Sequence, residues 1–221
     1  NPNASKIHLG EYDMQCARAA YYGMVNFIDD QIGRLLQFAG QLSDCLVLYT
    51  SDHGEMLGDH GLMSKLGFFD QAFHIPLIVR YPALAGGPPG GIVAGRVVDR
   101  FTENVDVMPT LLDLAGAEPA RQCQGRSLRP FLDGSVAEGV LPEGWRTAVH
   151  WEFDFRTWAG AVGLDGHRCN LAVHRDERGK YVHFAGWPAV FYDLEADPDE
   201  RRPLPDHPAM PGYAAALLDW R

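Results

Sequence analysis

Residues 45–61 read CLVLYTSDHGEMLGDHG, an apolar run followed by two copies of the triplet Asp-His-Gly. The run at 45–50 is short, continuous and without polar alternation, which is typical of a strand buried on both faces of a parallel sheet. Residues 75–81, IPLIVRY, form a second run of this kind. With a helix predicted before them, the two runs indicate an α/β fold in which helices cover a sheet.

Residues 11–40 are predicted to form one long amphipathic helix that ends at Gly40. Its apolar positions follow one another at spacings of three and four, so their side chains share a face. We expect this face to pack into the core rather than to bind a cofactor. The positions are Cys16, Ala20, Met24, Ile28, Ile32, Leu35 and Ala39.

Residues 102–116 are predicted to be helical, with Thr102 or Asn104 as the N-cap and Gly116 as the end. Pro109 lies inside this pattern, so we expect either a kink or a helix that begins just before the proline. Residues 125–134, GRSLRPFLDG, indicate a short helix or turn, and the Gly- and Pro-rich residues 82–95 indicate a surface loop.

From about residue 140 the chain changes to short runs rich in β-branched and aromatic residues, which predict an antiparallel sheet. These runs are RTAVHWEF, HRCNLAVH, KYVHFAG and AVFYDL, and the polar stretch EADPDERRPLP then indicates a turn and exit. In the first run Trp151, Phe153 and Phe155 alternate with Glu152 and Asp154. Its aromatic face is expected either to pack inward or to form a homo-oligomer contact, and both outcomes remain open.

Bulk composition restricts the partners. The 221 residues carry a formal net charge of −10, so nucleic acid and anionic membranes are not expected partners, and an anionic substrate would need a metal or local cations. No apolar run is long enough to cross a membrane, no signal peptide is visible, and the chain does not begin with Met. The four cysteines form no CxxC pair, which predicts reduced, mostly buried thiols in a cytoplasmic protein: Cys16, Cys45, Cys123 and Cys169.

The first Asp-His-Gly follows a predicted strand, where ligands bind in open α/β sheets. Asp52 offers a hard oxygen and His53 a nitrogen, which together form part of a shell for Mg²⁺, Mn²⁺, Ca²⁺ or Zn²⁺. Lys65 comes thirteen residues after Asp52, and three intervening glycines allow the loop to turn back. There Lys65 would hold the oxygens of an anionic substrate and steady a leaving group. From the residues alone, a capped polar turn with a solvated Lys65 is the alternative.

The stretch LVLYTSDHGEMLGDHGLMSKLGFFDQAFHIPLIVRYP resembles the sulfatase branch of the alkaline phosphatase superfamily, and within it the phosphonate monoester hydrolases. AYYGMVNFIDDQIGRLL, NVDVMPTLLDLAG, GRSL, HWEFDF and FYDLEADPDE extend the resemblance over most of the chain in the order of the family. The resemblance implies that Asp52 and His53 bind a divalent metal and that Lys65 binds the sulfuryl or phosphoryl oxygens. It leaves Asp59-His60 the role of folding the loop or lining its rim.

One feature of the family has no match. Its nucleophile is a formylglycine made from Cys or Ser in a Cys/Ser-x-Pro-x-Arg signature, and none of the four cysteines lies in such a sequence. The expectation is therefore the C-terminal half of a hydrolase about twice as long, inactive alone. The predicted division is residues 1–139, the C-terminal part of the catalytic α/β domain with the metal-ligand loop 51–65, and residues 140–221, an antiparallel β subdomain with a C-terminal tail.

The predicted reaction is metal-dependent hydrolysis of a small anionic ester, a phosphonate or phosphate monoester or a sulfate ester. Two alternatives stay open at this point. One is a sulfatase proper that acts on aryl, choline or sugar sulfates, and the other is a non-catalytic binding or assembly module that has kept the fold.

Overall fold

The computed structural model describes residues 9–40, 45–65, 67–80 and 94–221. The described helices and strands, in chain order, are α1 (Glu11–Ala39), β1 (Val47–Thr50), α2 (Asp70–Phe73), β2 (Leu77–Arg80), α3 (Val107–Leu114), α4 (Arg129–Leu132), β3 (Ala148–Asp154), α5 (Ala159–Val162), β4 (Asn170–Asp176), β5 (Gly179–Phe184), β6 (Val190–Asp193) and α6 (Met210–Trp220). Within these residues no helix is long and apolar enough to cross a membrane.

The described residues pack as two compact units. The sheet unit consists of residues 53–74 and 146–221, and the helix unit of residues 9–52 and 75–145. The predicted domain boundary at residues 139 and 140 stays a prediction. What the packing adds is that the loop after the first Asp-His pair belongs with the C-terminal sheet.

The sheet unit contains the predicted antiparallel sheet, with its strands in the order β3-β4-β5-β6. Its core lies between one face of this sheet and residues 56–72, which cross over it. Trp151 and Phe153 pack against this core, so the aromatic face of β3 points inward. The buried members of the cluster are Met56, Leu62, Phe68, Phe69, Ala72, Phe155, Cys169, Leu171, Val173, Val182 and Tyr192.

The opposite face of the sheet is covered by α6, which the sequence analysis treated as a tail. Ala172, Tyr181 and Phe191 alternate along their strands with the first cluster and bury against Leu217 of the helix. Both faces of the sheet are therefore covered.

In the helix unit, α1 forms as predicted and ends at Gly40, but its apolar face is not a core. Met24, Ile28 and Leu35 are 57%, 52% and 64% exposed, and none of the α1 side chains that the structure describes is buried. The expectation of core packing was wrong, because helical spacing selects a face without supplying a surface to cover it. The buried cluster of this unit lies instead around Leu128, Phe131 and Trp145.

The predicted parallel pairing of the two apolar runs was also wrong. β1 and β2 pair antiparallel, with Thr50 opposite Leu77, in a two-stranded sheet. Tyr49 is 41% and Ile78 is 61% exposed, so neither strand is buried on both faces. A continuous apolar run favours a strand, but nothing in it encodes the direction of the partner.

The segment 102–116 forms a 3-10 turn, Asn104–Asp106, followed directly by α3. Pro109 lies in the first turn of α3, where its missing N–H costs nothing, so the helix starts where the proline predicted. The N-cap prediction was wrong: Glu103 makes a capping box with the last residue of the 3-10 turn. Gly116, at φ 73°, ends the helix as predicted.

The short helix in GRSLRPFLDG is α4. Of the four cysteine thiols, which carry no disulfide, Cys169 is buried and Cys16 is exposed on α1, so the expectation of mostly buried thiols was wrong. The predicted loop at 82–95 falls almost wholly outside the described residues.

Candidate metal centre and substrate loop

Asp52 follows the end of β1 in the helix unit and is exposed. The backbone just before it is held by Asn104, whose side-chain amide donates to the Ser51 carbonyl at 3.0 Å. The Thr50 hydroxyl donates to the Asn104 side-chain oxygen at 3.3 Å. Asn104 was predicted only as a helix cap, whereas in the structure it fixes the strand end that presents Asp52.

His53 belongs to the sheet unit, and its ring has a defined orientation. Nδ1 lies 2.7 Å from the carbonyl oxygen of Gly54. A carbonyl only accepts hydrogen bonds, so Nδ1 carries the proton and the lone pair of the neutral ring is on Nε2. A histidine that donates from one nitrogen to a carbonyl and offers the other to a metal is a common arrangement in metal sites.

Gly54 joins His53 to α2. Its N–H donates to the Ala72 carbonyl at 2.8 Å. A Cβ at position 54 would lie only 2.1 Å from the Gln71 carbonyl oxygen, so the close approach requires glycine. The backbone next to the His53 ring is thereby laid directly on α2.

The loop after Gly54 turns back on itself, as the glycine spacing predicts. The Met56 N–H donates to the Ser64 carbonyl at 3.0 Å, which closes the loop. The Glu55 carboxylate accepts hydrogen bonds from the Leu57 and Ser64 N–H groups across the same closure. Lys65 comes directly after Ser64, which is hydrogen-bonded to both Glu55 and Met56. The chain therefore returns to the start of the loop at Lys65, whose side chain is exposed.

The second Asp-His pair lies in a 3-10 turn, Asp59–Gly61, at the far end of this loop. The His60 ring stacks on Phe69 with centroids 3.7 Å apart and planes 7° apart. Burial lowers the pKa of His60, and the negative charge of Asp59 offsets only part of this shift. A stacked, preferentially neutral ring is the arrangement expected for a residue that helps the loop to fold.

A groove of about 1260 Å³ opens beside this turn in the sheet unit. Its walls include the aromatic side chains of Phe69, Phe153, Trp158 and Trp187, and Arg201 lies among its polar residues. The groove places an apolar surface next to residues 58–62 of the loop.

The donors at positions 52 and 53 fit a divalent metal in part. A carboxylate and an imidazole with its lone pair on Nε2 are suitable ligands, but two ligands do not complete a shell. Among the residues that the structure describes, no three His, Cys, Asp or Glu side chains are grouped so as to hold a metal ion.

A buried charge cluster that was not predicted from the sequence lies at the start of α2. Lys180 is 0% exposed, and its Nζ lies 2.5 Å from Asp70 Oδ1 and in ion-pair contact with Glu200 Oε1. Arg175 pairs with Asp70 at 2.9 Å. Burial opposes ionisation of Asp70, but the charges and hydrogen bonds of Lys180 and Arg175 hold its pKa below the usual value.

A signal for this cluster was present in the sequence. Strand alternation places Lys180 on the same face as Val182, which is fully buried. A lysine on a buried face needs compensating carboxylates nearby. Which carboxylates supply them depends on packing between residues more than a hundred positions apart, such as Asp70 and Lys180, and no local pattern encodes that.

The described helices and antiparallel strands form an α/β structure, and the solved structures that it resembles have the alkaline-phosphatase-like fold of sulfatases and phosphonate monoester hydrolases. The model of the sulfatase family matches residues 6–117, and the chain belongs to this family. Both the predicted family and the predicted fold class are confirmed.

Two solved structures show the same fold. The chain is 46% identical to the phosphonate monoester hydrolase of Agrobacterium radiobacter, with a TM-score of 0.77 over 94% of this chain and 40% of that chain. For the phosphonate monoester hydrolase of Silicibacter pomeroyi the identity is 34% and the TM-score 0.80, over 97% of this chain and 41% of that chain.

Curated relatives extend the similarity to sulfatases. The chain is 43% identical to the multifunctional alkaline phosphatase superfamily protein PehA of Trinickia caryophylli, over 96% of this chain and 42% of the relative. It is 32% identical to the choline-sulfatase of Rhizobium meliloti, over 96% of this chain and 37% of the relative. The chain thus spans about two fifths of the length of these relatives.

Proposed function

We propose that this chain supplies part of the active site of a metal-dependent hydrolase that cleaves phosphonate or phosphate monoesters. The observation that carries the proposal is the closed loop between Gly54 and Lys65. It returns a lysine beside the segment that begins at His53, whose ring is already in the tautomer that a metal ligand needs. Membership of the sulfatase family supports the same reaction class.

In this proposal the Asp52 carboxylate and the His53 Nε2 hold a divalent cation, Mn²⁺, Ca²⁺, Mg²⁺ or Zn²⁺. When bound, such a cation acts as a Lewis acid toward an ester oxygen. The Lys65 ammonium holds the non-bridging oxygens of the substrate and offsets the charge that develops on the leaving oxygen. The nucleophile, a formylglycine by family resemblance, is assigned to no residue of this chain.

The choice of substrate rests on relative similarity. Identity is higher to the Agrobacterium radiobacter phosphonate monoester hydrolase, 46%, than to the choline-sulfatase, 32%. Hydrolysis of sulfate esters is the second candidate, and it is supported by 34% identity to an N-acetylglucosamine-6-O-sulfatase of Bacteroides thetaiotaomicron.

The doubled triplet provides the test and its matched control. In the natural full-length protein that carries this chain, Asp52→Ala should remove most of the bound metal and lower kcat by at least about 10², because a metal ligand is lost. Asp59→Ala alters the exposed carboxylate of the second copy, so metal content and kcat should stay near their normal values. Elemental analysis and turnover measure both variants.

Normal metal content in the Asp52→Ala protein would overturn the assignment. A panel of aryl phosphonate, aryl phosphate and aryl sulfate esters then separates the two candidate substrates. We expect kcat/KM to be highest for the phosphonate ester, and a clear preference for the sulfate ester would favour the second candidate.

A further inference from the structure

We propose that the buried cluster of Lys180, Asp70, Arg175 and Glu200 is a positioning device that fixes the candidate ligand His53 through helix α2. The inference rests on the proposed function only where it treats His53 as a metal ligand. The physical linkage itself lies wholly within the sheet unit.

The cluster joins four separate chain segments at the first residue of α2. The Lys180 Nζ contacts both carboxylates and also donates to the Phe68 carbonyl at 3.2 Å. The second Asp70 oxygen pairs with Arg175, and the Asp70 N–H donates to Glu200 Oε2 at 3.1 Å. Both the side chain and the backbone of Asp70 are therefore held.

The charges of the cluster favour a fixed arrangement. Two cations face two carboxylates, so the buried charges balance, and removing one member would leave an uncompensated charge out of water. Glu200 is 2% exposed and has φ 55°, a conformation that costs energy for a residue with a side chain. Its contacts with Lys180 and with the Asp70 N–H offset that strain.

From Asp70 the linkage to His53 takes three steps. Asp70 begins α2, and the Ala72 carbonyl in the same helix accepts the hydrogen bond from the Gly54 N–H. Gly54 lies so close to α2 that no Cβ would fit. Its own carbonyl then orients the His53 ring by accepting from Nδ1. A shift of α2 must therefore move the ring or break one of these contacts.

A cluster that only stabilised the fold would behave differently from one that positions His53. Loss of a purely stabilising cluster would loosen the whole sheet unit evenly. Loss of a positioning cluster would loosen residues 53–57 and α2 more than the strands β4 and β5, which are held by their own ladder of hydrogen bonds.

The test is Lys180→Met, which keeps most of the length of the side chain and removes its charge. In the natural full-length protein, hydrogen–deuterium exchange of a peptide spanning residues 53–57 should become at least about tenfold faster relative to one spanning residues 171–174. With selective ¹⁵N-histidine labelling, the Nδ1–H form of His53 should lose population. Arg178→Met is the matched control: Arg178 is 82% exposed and pairs with Glu195 at 3.8 Å, and neither signal should change.

Charge-balanced rescue makes the test specific. Glu200→Gln combined with Lys180→Met removes one charge of each sign, so it should restore part of the slow exchange at residues 53–57. Glu200→Gln alone gives the same readouts in a milder form if Lys180→Met does not fold. Equal acceleration in both peptides, or an unchanged His53 spectrum, would overturn the positioning role.

Metal titration separates this inference from the proposed function. Addition of Zn²⁺ to the unaltered protein should shift the ¹⁵N resonance of His53. If it does not, His53 is no ligand and the proposed function fails, while the exchange result still decides whether the cluster positions the ring.

Discussion

The two units bury their apolar residues in different ways. In the sheet unit both faces of a four-stranded sheet are covered, one by residues 56–72 and the other by α6. In the helix unit the longest element, α1, has 29 residues and no described side chain that is buried. The longest helical pattern in the sequence therefore does not mark the best-packed part of the described structure. Burial depends on a second surface, which periodicity does not encode.

The largest expected effect compares one phenylalanine from each unit. Phe68 is 8% exposed and lies within 4.4–5.9 Å, centroid to centroid, of the Phe69, Phe184 and Tyr192 rings. Phe68→Ala should lower the free energy of unfolding by about 3–5 kcal/mol. Phe27 on α1 is 66% exposed, so Phe27→Ala should change it by about 0.5 kcal/mol or less.

Urea denaturation of the two variants measures the difference. A loss for Phe27→Ala as large as that for Phe68→Ala would break the comparison. It would show that α1 packs in solution against a surface that the described residues do not supply.

The sequence predicted the sheet unit better than the helix unit, and the reason is local. Alternation of aromatic and acidic residues in β3 indicates both the strand and its inward face, so the sequence places Trp151 and Phe153 on one side. Three glycines in the sequence also predict that the loop reverses direction. Gly58 and Gly61 adopt positive φ, and Gly54 allows a close approach of the backbone to α2.

What the sequence did not predict depends on long-range contacts. The antiparallel direction of β1 and β2 depends on the path of the chain between them, and an apolar run alone does not encode it. Lys180 gave a signal as a cation on a buried face, but its partners Asp70 and Glu200 come from distant segments. At the candidate centre, sequence supplied Asp52, His53 and Lys65. Only the structure added Asn104 and the tautomer of His53.

The middle-sized effect compares two glycines, one in each unit, where the backbone approaches too closely for a side chain. A Cβ at Gly54 would lie 2.1 Å from the Gln71 carbonyl oxygen, and one at Gly125 would lie 2.0 Å from the Val105 carbonyl oxygen. Either Gly→Ala change should cost about 1–3 kcal/mol, because backbone must shift. Gly212 in α6 has nothing within 4 Å, so Gly212→Ala should be neutral or stabilising by up to about 1 kcal/mol.

Hydrogen–deuterium exchange shows where each glycine acts. Gly54→Ala should accelerate exchange in the sheet unit, and Gly125→Ala should accelerate it around the 3-10 turn at Asn104–Asp106 in the helix unit. A Gly125→Ala protein as stable as the unaltered one would contradict the close approach.

The smallest effect is a pH dependence from histidine, which belongs to the sheet unit because residues 9–52 and 75–145 contain no histidine. His150 Nε2 lies 2.8 Å from His174 Nδ1, and the His150 ring stacks on Trp220 of α6 at 4.7 Å. Burial, with the charges of His174 and Arg146, lowers the pKa of His150 to about 4. Burial also lowers the pKa of His174, against the charge of Asp176.

The sign follows from proton uptake. Below its ordinary pKa of 6.5 His150 is protonated in the unfolded chain, while the folded protein keeps it neutral down to about pH 4. Stability from this residue is therefore complete above pH 6.5 and is lost as pH falls toward 4. His150 is partly exposed to solvent, although His174 is buried, so the loss should be on the order of 1 kcal/mol. Glu200 acts in the opposite sense, because burial raises its pKa and its contribution to stability weakens as pH rises.

The difference between the unaltered protein and His150→Gln isolates the contribution of the histidine. The urea midpoint should fall between pH 7 and pH 5 in the unaltered protein and change less in the variant. Parallel pH profiles in the two proteins would mean that the pair is not kept neutral by α6 and the sheet.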